Sequence, residues 1–407
     1  MTENEKELSL YVHIPFCVRK CAYCDFLSAA ASEEEKEAYV HALLAEIGSY
    51  RETELAGRKI KSVFIGGGTP SILTDDQISS VIGKIKSVFN NWEETCEVSM
   101  EMNPGTVTKE KCMLYARLGM NRLSIGLQSP DEKLLKKLGR VHTYRQFMDA
   151  YEWADMAGIS NINVDLMASL PGQSVEEYCA GLQKIAMLSP AHISAYSLIL
   201  EEGTPFYETY AAHPELLPGE EADRQMYIST KEILQTYGYS RYEISNYAKP
   251  GFACRHNIVY WQRGDYLGLG LGSASLVDGV RLRNMSDLRQ YTKEWMQHGK
   301  ELSRKAETDR FEERHVLSKE EQMEEYMFLG LRMMEGISCE RFAAQFGAFV
   351  YDIYADVIES CMRDGLLYAY ERPAGSVDAA PGSTEHMLAL TDRGIDVSNY
   401  VFEKFLL

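Results

Sequence analysis

Short runs of β-forming residues alternate with amphipathic segments over the first half of the chain. Six such runs occupy residues 8–14, 60–65, 96–102, 122–127, 162–167 and 192–198. Segments with apolar residues at helical spacing lie between them, at 33–50, 75–89 and 144–157. This alternation is typical of βαβ units and a parallel sheet, either open or closed into part of a barrel. In both arrangements, ligands collect at the carboxyl ends of the strands.

The pattern changes in the last quarter of the chain. Three helices are predicted at 319–334, 338–346 and 348–364, two β-like runs at 366–370 and 386–391 around a loop at 373–384, and a final helix from 393 onward. Three helices and a hairpin predict a winged-helix-like module. The expected organisation is therefore an α/β domain at 1–235, a connecting segment at 236–310 and a C-terminal module at 311–407.

Length and charge limit the class of protein and its partners. The 407 residues are enough for two or three domains at about 150 residues each. The formal net charge of −18 should repel nucleic-acid phosphates, so we expect no nucleic-acid partner. The polar, acidic first ten residues do not resemble a secretory signal, and no apolar run of about 18 residues predicts a transmembrane helix. We therefore expect a cytoplasmic protein.

Three cysteines follow the first predicted strand on one loop, Cys17, Cys21 and Cys24. Disulfides are rare in the cytosol, so a tight cysteine group indicates a metal or redox site. Three thiolates can bind three irons of a 4Fe–4S cubane and leave the fourth iron open to a small ligand. The alternative is a zinc site, but the chain has no second cysteine pair, and Asp25 would be a poor fourth ligand.

The C-x-x-x-C-x-x-C spacing after the first strand of a βα-repeat domain resembles that of the radical SAM superfamily. The resemblance implies a partial (β/α)6 barrel, with S-adenosylmethionine (SAM) on the open iron of the cluster and a 5′-deoxyadenosyl radical as its cleavage product. The run from Tyr11 to Cys17, Tyr-Val-His-Ile-Pro-Phe-Cys, resembles one branch of the superfamily. That branch contains the oxygen-independent coproporphyrinogen III dehydrogenases and the HemW haem chaperones, and it implies a C-terminal domain of the HemN type.

Polar residues and glycines at the predicted strand ends are candidate SAM ligands. Glu101, Gln128 and Asp165 end the third, fourth and fifth strands, where ligands should lie. Carboxylates suit ribose hydroxyls and the cationic sulfonium or amine, and Arg140 could pair with the SAM carboxylate. The residues that match SAM contacts in the resembling family also include Tyr11, Tyr23, Gly67, Gly68 and Thr69. For each one taken singly, a capping or surface role is the alternative.

Phe26 stands where the dehydrogenases carry a fourth cysteine, two residues after the trio. A phenyl ring cannot supply the redox or proton chemistry of a thiol, and HemW-type sequences have phenylalanine here. The resemblance therefore favours a haem chaperone over a radical SAM enzyme that acts on a porphyrinogen. A third possibility is an iron–sulfur or zinc protein in which the three cysteines only support the fold.

The segment His256-Asn-Ile-Val-Tyr260-Trp261 resembles the H-N-x-x-Y-W motif linked to haem binding in HemW proteins. Imidazole is a common axial ligand of haem iron, and the two aromatic rings could stack on a porphyrin. From chemistry alone, a capping histidine and two core aromatics remain the alternative, and Cys254 is a second candidate iron ligand. The resemblance implies haem as cargo and haem-acceptor proteins, such as respiratory cytochromes, as partners. Transient membrane association and a homodimer are further expectations.

Overall fold

The structure is a computed structural model that describes residues 6–302, 311–373 and 384–407. It divides into two compact units, described separately here. The first contains Met1–Ser240, Tyr247–His256 and Asp265–His315, and the second contains Arg241–Asn246, Asn257–Gly264 and Val316–Leu407. The predicted connecting segment 236–310 is thus divided between the two units instead of forming a separate body. Most of the predicted loop at 373–384 lies outside the described residues.

Six parallel strands form the centre of the first unit, as the alternating pattern predicts. They are β1 Glu7–Ile14, β2 Lys59–Gly67, β3 Trp92–Met102, β4 Arg122–Gln128, β5 Asn161–Ala168 and β6 His192–Ser197. The helices between them are α1 Glu33–Ser49, α2 Asp75–Val88, α3 Lys109–Arg117, α4 Glu132–Leu138, α5 Tyr144–Met156 and α6 Val175–Ala186. Each strand pairs with the next one along the chain. The predicted α/β class is confirmed.

Further short strands extend this sheet on both sides, and further helices are interspersed with them along the chain. They are α7 Pro205–Tyr210, α8 Glu220–Thr236, β7 Ser240–Arg241, β8 Asn246–Ala248, α9 Arg255–Trp261, β9 Tyr266–Leu269, β10 Ala274–Val277, β11 Val280–Arg283, α10 Leu288–Leu302 and β12 Glu313–Val316. The strand order is β12-β11-β10-β9-β1-β2-β3-β4-β5-β6-β8-β7. The sequence did not predict β7 to β12, because runs of two to four residues are too short to show a periodicity.

Reciprocal capping explains where several helices begin. Ser32 accepts a hydrogen bond from the backbone N–H of Glu35, whose carboxylate accepts one from the Ser32 N–H. The same S/T-x-x-E/Q arrangement begins α2, α5 and α6. Each cap satisfies backbone donors that the first helical turn leaves without partners, and is worth roughly 1 kcal/mol. The residues next to each helix start therefore determine where that helix begins.

The side chains of β1 alternate between an apolar core and a polar interior. Leu8, Leu10, Val12 and Ile14 are fully buried in the hydrophobic core of the first unit. The intervening residues Ser9, Tyr11 and His13 contact other strands: the Ser62 hydroxyl donates to Ser9 at 2.8 Å, and the Tyr11 ring stacks near Phe64. The concave side of the sheet is therefore unusually polar for a buried surface.

Glu46 is a buried carboxylate that ties α1 to the segment after β9. It accepts hydrogen bonds from the Gly270 N–H at 2.8 Å, the Asn284 amide at 2.5 Å and the Tyr291 hydroxyl at 2.5 Å. Next to it, the Tyr39 hydroxyl donates to the His13 carbonyl and accepts from the Leu271 N–H. The position of β9 beside β1 thus depends on polar contacts to one helix.

The second unit has the element order of a winged helix. Its elements are α11 Lys319–Gly330, β13 Ile337–Ser338, α12 Cys339–Phe346, α13 Val350–Arg363, β14 Leu367–Pro373, β15 Thr384–Leu390, α14 Asp392–Asp396 and α15 Ser398–Glu403. The three strands form an antiparallel sheet in the order β13-β15-β14. The sequence missed β13, which has only two residues. The predicted final helix is two helices, because Val397 leaves the helical conformation.

None of the helices within the described residues has both the length and the apolar character that crossing a membrane requires.

Replacing Glu46 with alanine should lower the free energy of unfolding by about 3 kcal/mol or more. The substitution leaves the Gly270 N–H, the Asn284 amide and the Tyr291 hydroxyl buried without this acceptor, and each such loss costs roughly 1–3 kcal/mol. Glu37→Ala is the matched control, since Glu37 is exposed on the same helix and should change stability by less than about 0.5 kcal/mol. Urea denaturation measures both; equal stability of the two variants would contradict the anchoring role.

Candidate functional site

A cavity of about 370 Å³ lies in the first unit at the carboxyl ends of the parallel strands. Its volume is in the range of small-molecule sites. All but two of the predicted ligand residues line it: Cys17, Cys21, Tyr23, Cys24, Gly67, Gly68, Thr69, Glu101, Gln128, Arg140 and Asp165. The two exceptions are Tyr11 and His256. The strand ends therefore collect the candidates as the βα pattern predicts.

The cysteine loop is held at both ends by backbone hydrogen bonds. The Cys17 N–H donates to the Ala29 carbonyl at 3.0 Å, which closes the loop on itself. The Ala22 N–H donates to the Leu138 carbonyl at 3.0 Å, which ties the middle of the loop to the end of α4. The three thiols are therefore fixed at the rim of the cavity, where all three line the wall.

Each of the three thiols receives one hydrogen-bond donor. The Thr69 hydroxyl lies 3.5 Å from the Cys17 sulfur, and Arg140 Nη1 lies 3.4 Å from the Cys21 sulfur. The backbone N–H of Phe26 donates to Cys24, although burial raises the pKa of that thiol. Donors directed at sulfur are the environment that thiolate ligands of iron–sulfur clusters require.

The three thiols suit a cluster better than a single ion. Among the described side chains, no three His, Cys, Asp or Glu groups converge on one point as ligands of one metal ion do. In a cubane, each thiolate binds a different iron, so its ligands lie farther apart than those of a tetrahedral zinc.

Close packing requires glycine at positions 67 and 68. A Cβ on Gly67, whose φ is +114°, would lie 2.6 Å from the His13 ring, and a Cβ on Gly68 would lie 2.6 Å from the Phe16 carbonyl oxygen. The Gly67 N–H donates to Glu101 and the Gly68 N–H to the Ile14 carbonyl. Both glycines line the cavity, but close packing against β1 and its loop requires them, and their N–H groups already have partners.

Two buried carboxyl groups, Glu101 and Asp165, lie in the lining of the cavity. Burial, reinforced by the nearby Asp165, raises the pKa of Glu101 to about 8. Burial also raises the pKa of Asp165, although Asn163 and Ser124 donate hydrogen bonds to it at 2.8 and 3.0 Å. Two buried carboxyl groups favour a cationic ligand that would offset their desolvation. SAM meets this requirement with its sulfonium and ammonium groups.

Asn163 and His192 support Asp165 from below and were missed by the sequence interpretation. His192 Nδ1 lies 2.6 Å from the Asn163 amide oxygen, while the Asn163 NH₂ group donates to Asp165 and Ser124. The available signal was the polar residue at every second position of β5, since alternate residues of a strand share one face. A buried strand with polar residues at 161, 163 and 165 indicates a polar interior.

Arg140 and Gln128 lie in the cavity wall, with contacts that the sequence could not specify. Arg140 Nη2 donates to the Gly126 carbonyl at 2.5 Å, and its Nε is buried without a hydrogen-bond partner in the structure. That nitrogen remains available to an anionic group such as the SAM carboxylate. Gln128 adopts a φ of +71°, an uncommon conformation for a residue other than glycine. Such strain concentrates at functional sites.

Tyr11 lies inside the barrel below the cavity instead of in its wall. Its hydroxyl is 3.0 Å from His13 Nδ1, and its ring lies beside Phe64. The His13 ring also contacts the Leu27 carbonyl through Nε2 at 2.9 Å. His13 is therefore a buried histidine whose two ring nitrogens both have hydrogen-bond partners. The Tyr11 hydroxyl lies near Glu101, which lines the cavity.

His256 is buried at the opposite end of the barrel from the cavity. Its Nδ1 lies 2.8 Å from the Ser62 hydroxyl, and its ring stacks on Phe64 at 5.2 Å. Burial, with a contribution from Arg122, lowers its pKa to about 3. Ser62 precedes Gly67 by five residues of an extended strand, or roughly 16 Å. The segment Arg255–Trp261 forms α9, and the backbone N–H groups of Arg255 and His256 donate to the Glu97 carboxylate.

The remainder of α9 belongs to the second unit. There the Arg332 guanidinium lies over the Trp261 ring at 4.4 Å from its centroid. Trp261 also borders a cavity of about 200 Å³ within this unit, together with Tyr326, Met333, Ile337, Arg341, Arg372 and Met387. The H-N-x-x-Y-W motif therefore spans two bodies, with its histidine in one and its tryptophan in the other.

Comparison with known proteins agrees with this fold and site. Residues 11–183 match the Radical SAM superfamily, and residues 317–369 match the HemN C-terminal domain. The crystal structure of coproporphyrinogen III oxidase (HemN) from Escherichia coli superposes with a TM-score of 0.81 at 22% identity, covering 99% of this chain and 90% of that one. The chain is a radical SAM protein with a HemN-like fold.

Relatives of similar length narrow the class further. The "Heme chaperone HemW" of Lactococcus lactis subsp. lactis (strain IL1403) is 35% identical over 403 residues, covering 99% of this chain and 98% of that protein. The protein of the same name from Bacillus subtilis (strain 168) is 33% identical over 399 residues, covering 98% and 99%. The one from Escherichia coli (strain K12) is 40% identical over 283 residues, covering 68% and 72%. The chain belongs to the HemW family.

Membership of the radical SAM superfamily supports a 4Fe–4S cluster and SAM as cofactors, and the cavity fits both. The three cysteine thiols would hold the cluster, Glu101 and Asp165 would face the cationic groups of SAM, and the unpartnered Arg140 Nε would meet its carboxylate. A reduced cluster on these thiols would supply an electron to SAM. The protein's own part is to position the ligand, to balance its charge and to keep water from the buried carboxylates.

Replacing any one of Cys17, Cys21 and Cys24 with serine should abolish cluster uptake, because a hydroxyl is a poor substitute for a soft thiolate ligand. Iron and inorganic sulfide are measured after anaerobic reconstitution, together with the visible charge-transfer absorption. Cys179→Ser is the control, since Cys179 lies on α6 away from the cavity and should leave the iron content unchanged. Full iron and sulfide in all three variants would disprove the assignment.

The stability of the cofactor-free protein should fall as pH rises from about 4.5 to about 8, because of Glu101. Its pKa is raised on folding from 4.5 to about 8, so the folded state holds a proton that the unfolded state has released in this window. The fall is at most about 1.4 kcal/mol per pH unit, and Glu101→Gln should remove it. Urea denaturation at several pH values measures the difference; parallel curves for the two proteins would contradict the raised pKa.

Proposed function

We propose that this chain is a haem chaperone, which binds haem and passes it to acceptor proteins. The main support is its relation to proteins named haem chaperones over essentially the whole chain, including both units. In this proposal, the cavity of the first unit carries the cluster and SAM, while haem is cargo. Acceptors such as respiratory cytochromes would be met transiently in the cytoplasm or at the membrane surface. The proposal also includes a homodimer, which a measurement of the molecular mass in solution would detect.

The position of Phe26 supports a chaperone over a porphyrinogen dehydrogenase. Phe26 lies at the rim of the cavity and is 58% exposed. Its carbonyl accepts a hydrogen bond from Lys20 Nζ at 2.8 Å, so the backbone around the ring is fixed. No cysteine sits at this point to act on a bound substrate. A thiol reaction that depends on a fourth cysteine is therefore not available here.

His256 is our candidate iron ligand, on chemical grounds. A lowered pKa keeps its imidazole neutral at physiological pH, and neutral imidazole is the form that binds iron. In the present arrangement the ring is 1% exposed and bonded to Ser62. Haem ligation by His256 therefore requires the start of α9 to leave its contacts with Ser62 and Glu97. Cys254, bonded to Glu97 at 3.5 Å, is the second candidate.

Haem titration of the purified chain tests the proposal. We expect a saturable Soret band in the wild type and a weaker, shifted band in His256→Ala, since the variant lacks the axial nitrogen. His41→Ala is the matched control, because His41 is exposed on α1, and it should behave as wild type. If Cys254→Ser shifts the Soret band and His256→Ala does not, the iron ligand is Cys254 instead of His256. Absence of saturable haem binding in the wild type would overturn the proposal.

The same preparation distinguishes the enzymatic alternative. With reductant and SAM, the reconstituted protein should leave coproporphyrinogen III unchanged, while haem-loaded protein should transfer its haem to an apo-cytochrome. If the protein instead converts coproporphyrinogen III at enzymatic rates and transfers no haem, its function is oxidative decarboxylation and the chaperone proposal fails.

A further inference from the structure

Arg140 has a contact that its predicted role does not explain. A partner for the SAM carboxylate needs only to face the ligand. In the structure, Arg140 Nη1 instead lies 3.4 Å from the Cys21 sulfur, one of the three candidate cluster ligands. We infer that Arg140 sets the reduction potential of the cluster by donating a charged hydrogen bond to the Cys21 thiolate.

The guanidinium is fixed in this position by its other contacts. Nη2 donates to the Gly126 carbonyl at 2.5 Å, at the end of β4. The residue follows Gly139, which ends α4 in the left-handed conformation with a φ of +77° and so turns the chain toward the cavity. Because a planar guanidinium has donors in fixed directions, the bond to Gly126 also orients Nη1 toward the sulfur.

The cysteine loop is tied to the same turn on its other side. The Ala22 N–H donates to the Leu138 carbonyl at 3.0 Å, and Arg19 Nη2 donates to the Gly139 carbonyl at 2.8 Å. Three consecutive residues, 138 to 140, therefore hold the loop that carries Cys21. These contacts hold the guanidinium of Arg140 next to the Cys21 sulfur.

Arg140 differs from the other two sulfur donors in its charge. The Thr69 hydroxyl and the Phe26 N–H, which face Cys17 and Cys24, are neutral. A hydrogen bond to a cluster sulfur stabilises the reduced state, which is one electron more negative, and so raises the potential. A buried positive charge adds to this effect because the surroundings screen it little. Of the three donors, Arg140 should therefore have the largest influence.

The test is the midpoint potential of the reconstituted cluster, measured by a redox titration with electron paramagnetic resonance detection in the absence of SAM. We expect Arg140→Met to shift the midpoint to a more negative value and Thr69→Val to shift it less. Lys137→Met is the matched control, because Lys137 is an exposed cation on α4 that donates to the Pro171 carbonyl. It should keep the wild-type potential. If Arg140→Met takes up no cluster, Arg140→Gln is measured in its place.

SAM affinity, measured by equilibrium binding to the same samples, separates this role from the predicted one. If Arg140→Met loses SAM binding but keeps the wild-type midpoint without SAM, Arg140 is only a SAM ligand and the inference fails. A shift in Thr69→Val as large as that in Arg140→Met would also overturn it, because the charge would then have no special effect. The inference requires a cluster on the three cysteines but not haem binding, so a failed haem titration leaves its outcome unaffected.

Discussion

Parallel pairing of six consecutive strands is the constraint on which the rest of this structure depends. Each strand of the first unit runs beside the next one along the chain, so all six end at one edge. The cysteine loop after β1, the glycines after β2, and Glu101, Gln128 and the turn carrying Arg140 meet there for that reason. Residues more than a hundred positions apart share a cavity because every crossover returns the chain to the same side.

The same pairing also creates a polar interior, which sets the chemistry of the cavity. Alternation along buried strands sends apolar residues toward the helices and polar residues inward. Asp165, Asn163 and His192 form a continuous hydrogen-bonded series down from the cavity floor. A polar group left without a partner in such a buried network would cost free energy. Because these three side chains do have partners, their hydrogen bonds hold the Asp165 carboxylate in one orientation. The two carboxyl groups and the positively charged Arg140 line the same cavity.

The H-N-x-x-Y-W segment is continuous in the sequence but is divided between the two units of the structure. Its six residues look like one local unit in the sequence. In the structure, His256 is packed in the first unit beside Ser62 and Phe64, whereas Trp261 lies against Arg332 in the second.

The sequence by itself determined the elements whose signals are local. Periodicity gave the six strands, S/T-x-x-E/Q pairs mark the helix starts, and the spacing of Cys17, Cys21 and Cys24 indicated the cluster. Strand-end position was enough to find Glu101, Gln128 and Asp165. Only the tertiary structure decided that Tyr11 is not among the residues lining the cavity, that His13 and Phe16 require Gly67 and Gly68, and that Arg140 contacts a cysteine sulfur. These outcomes depend on which side chains meet across strands, and such contacts leave no periodic or local trace in the chain.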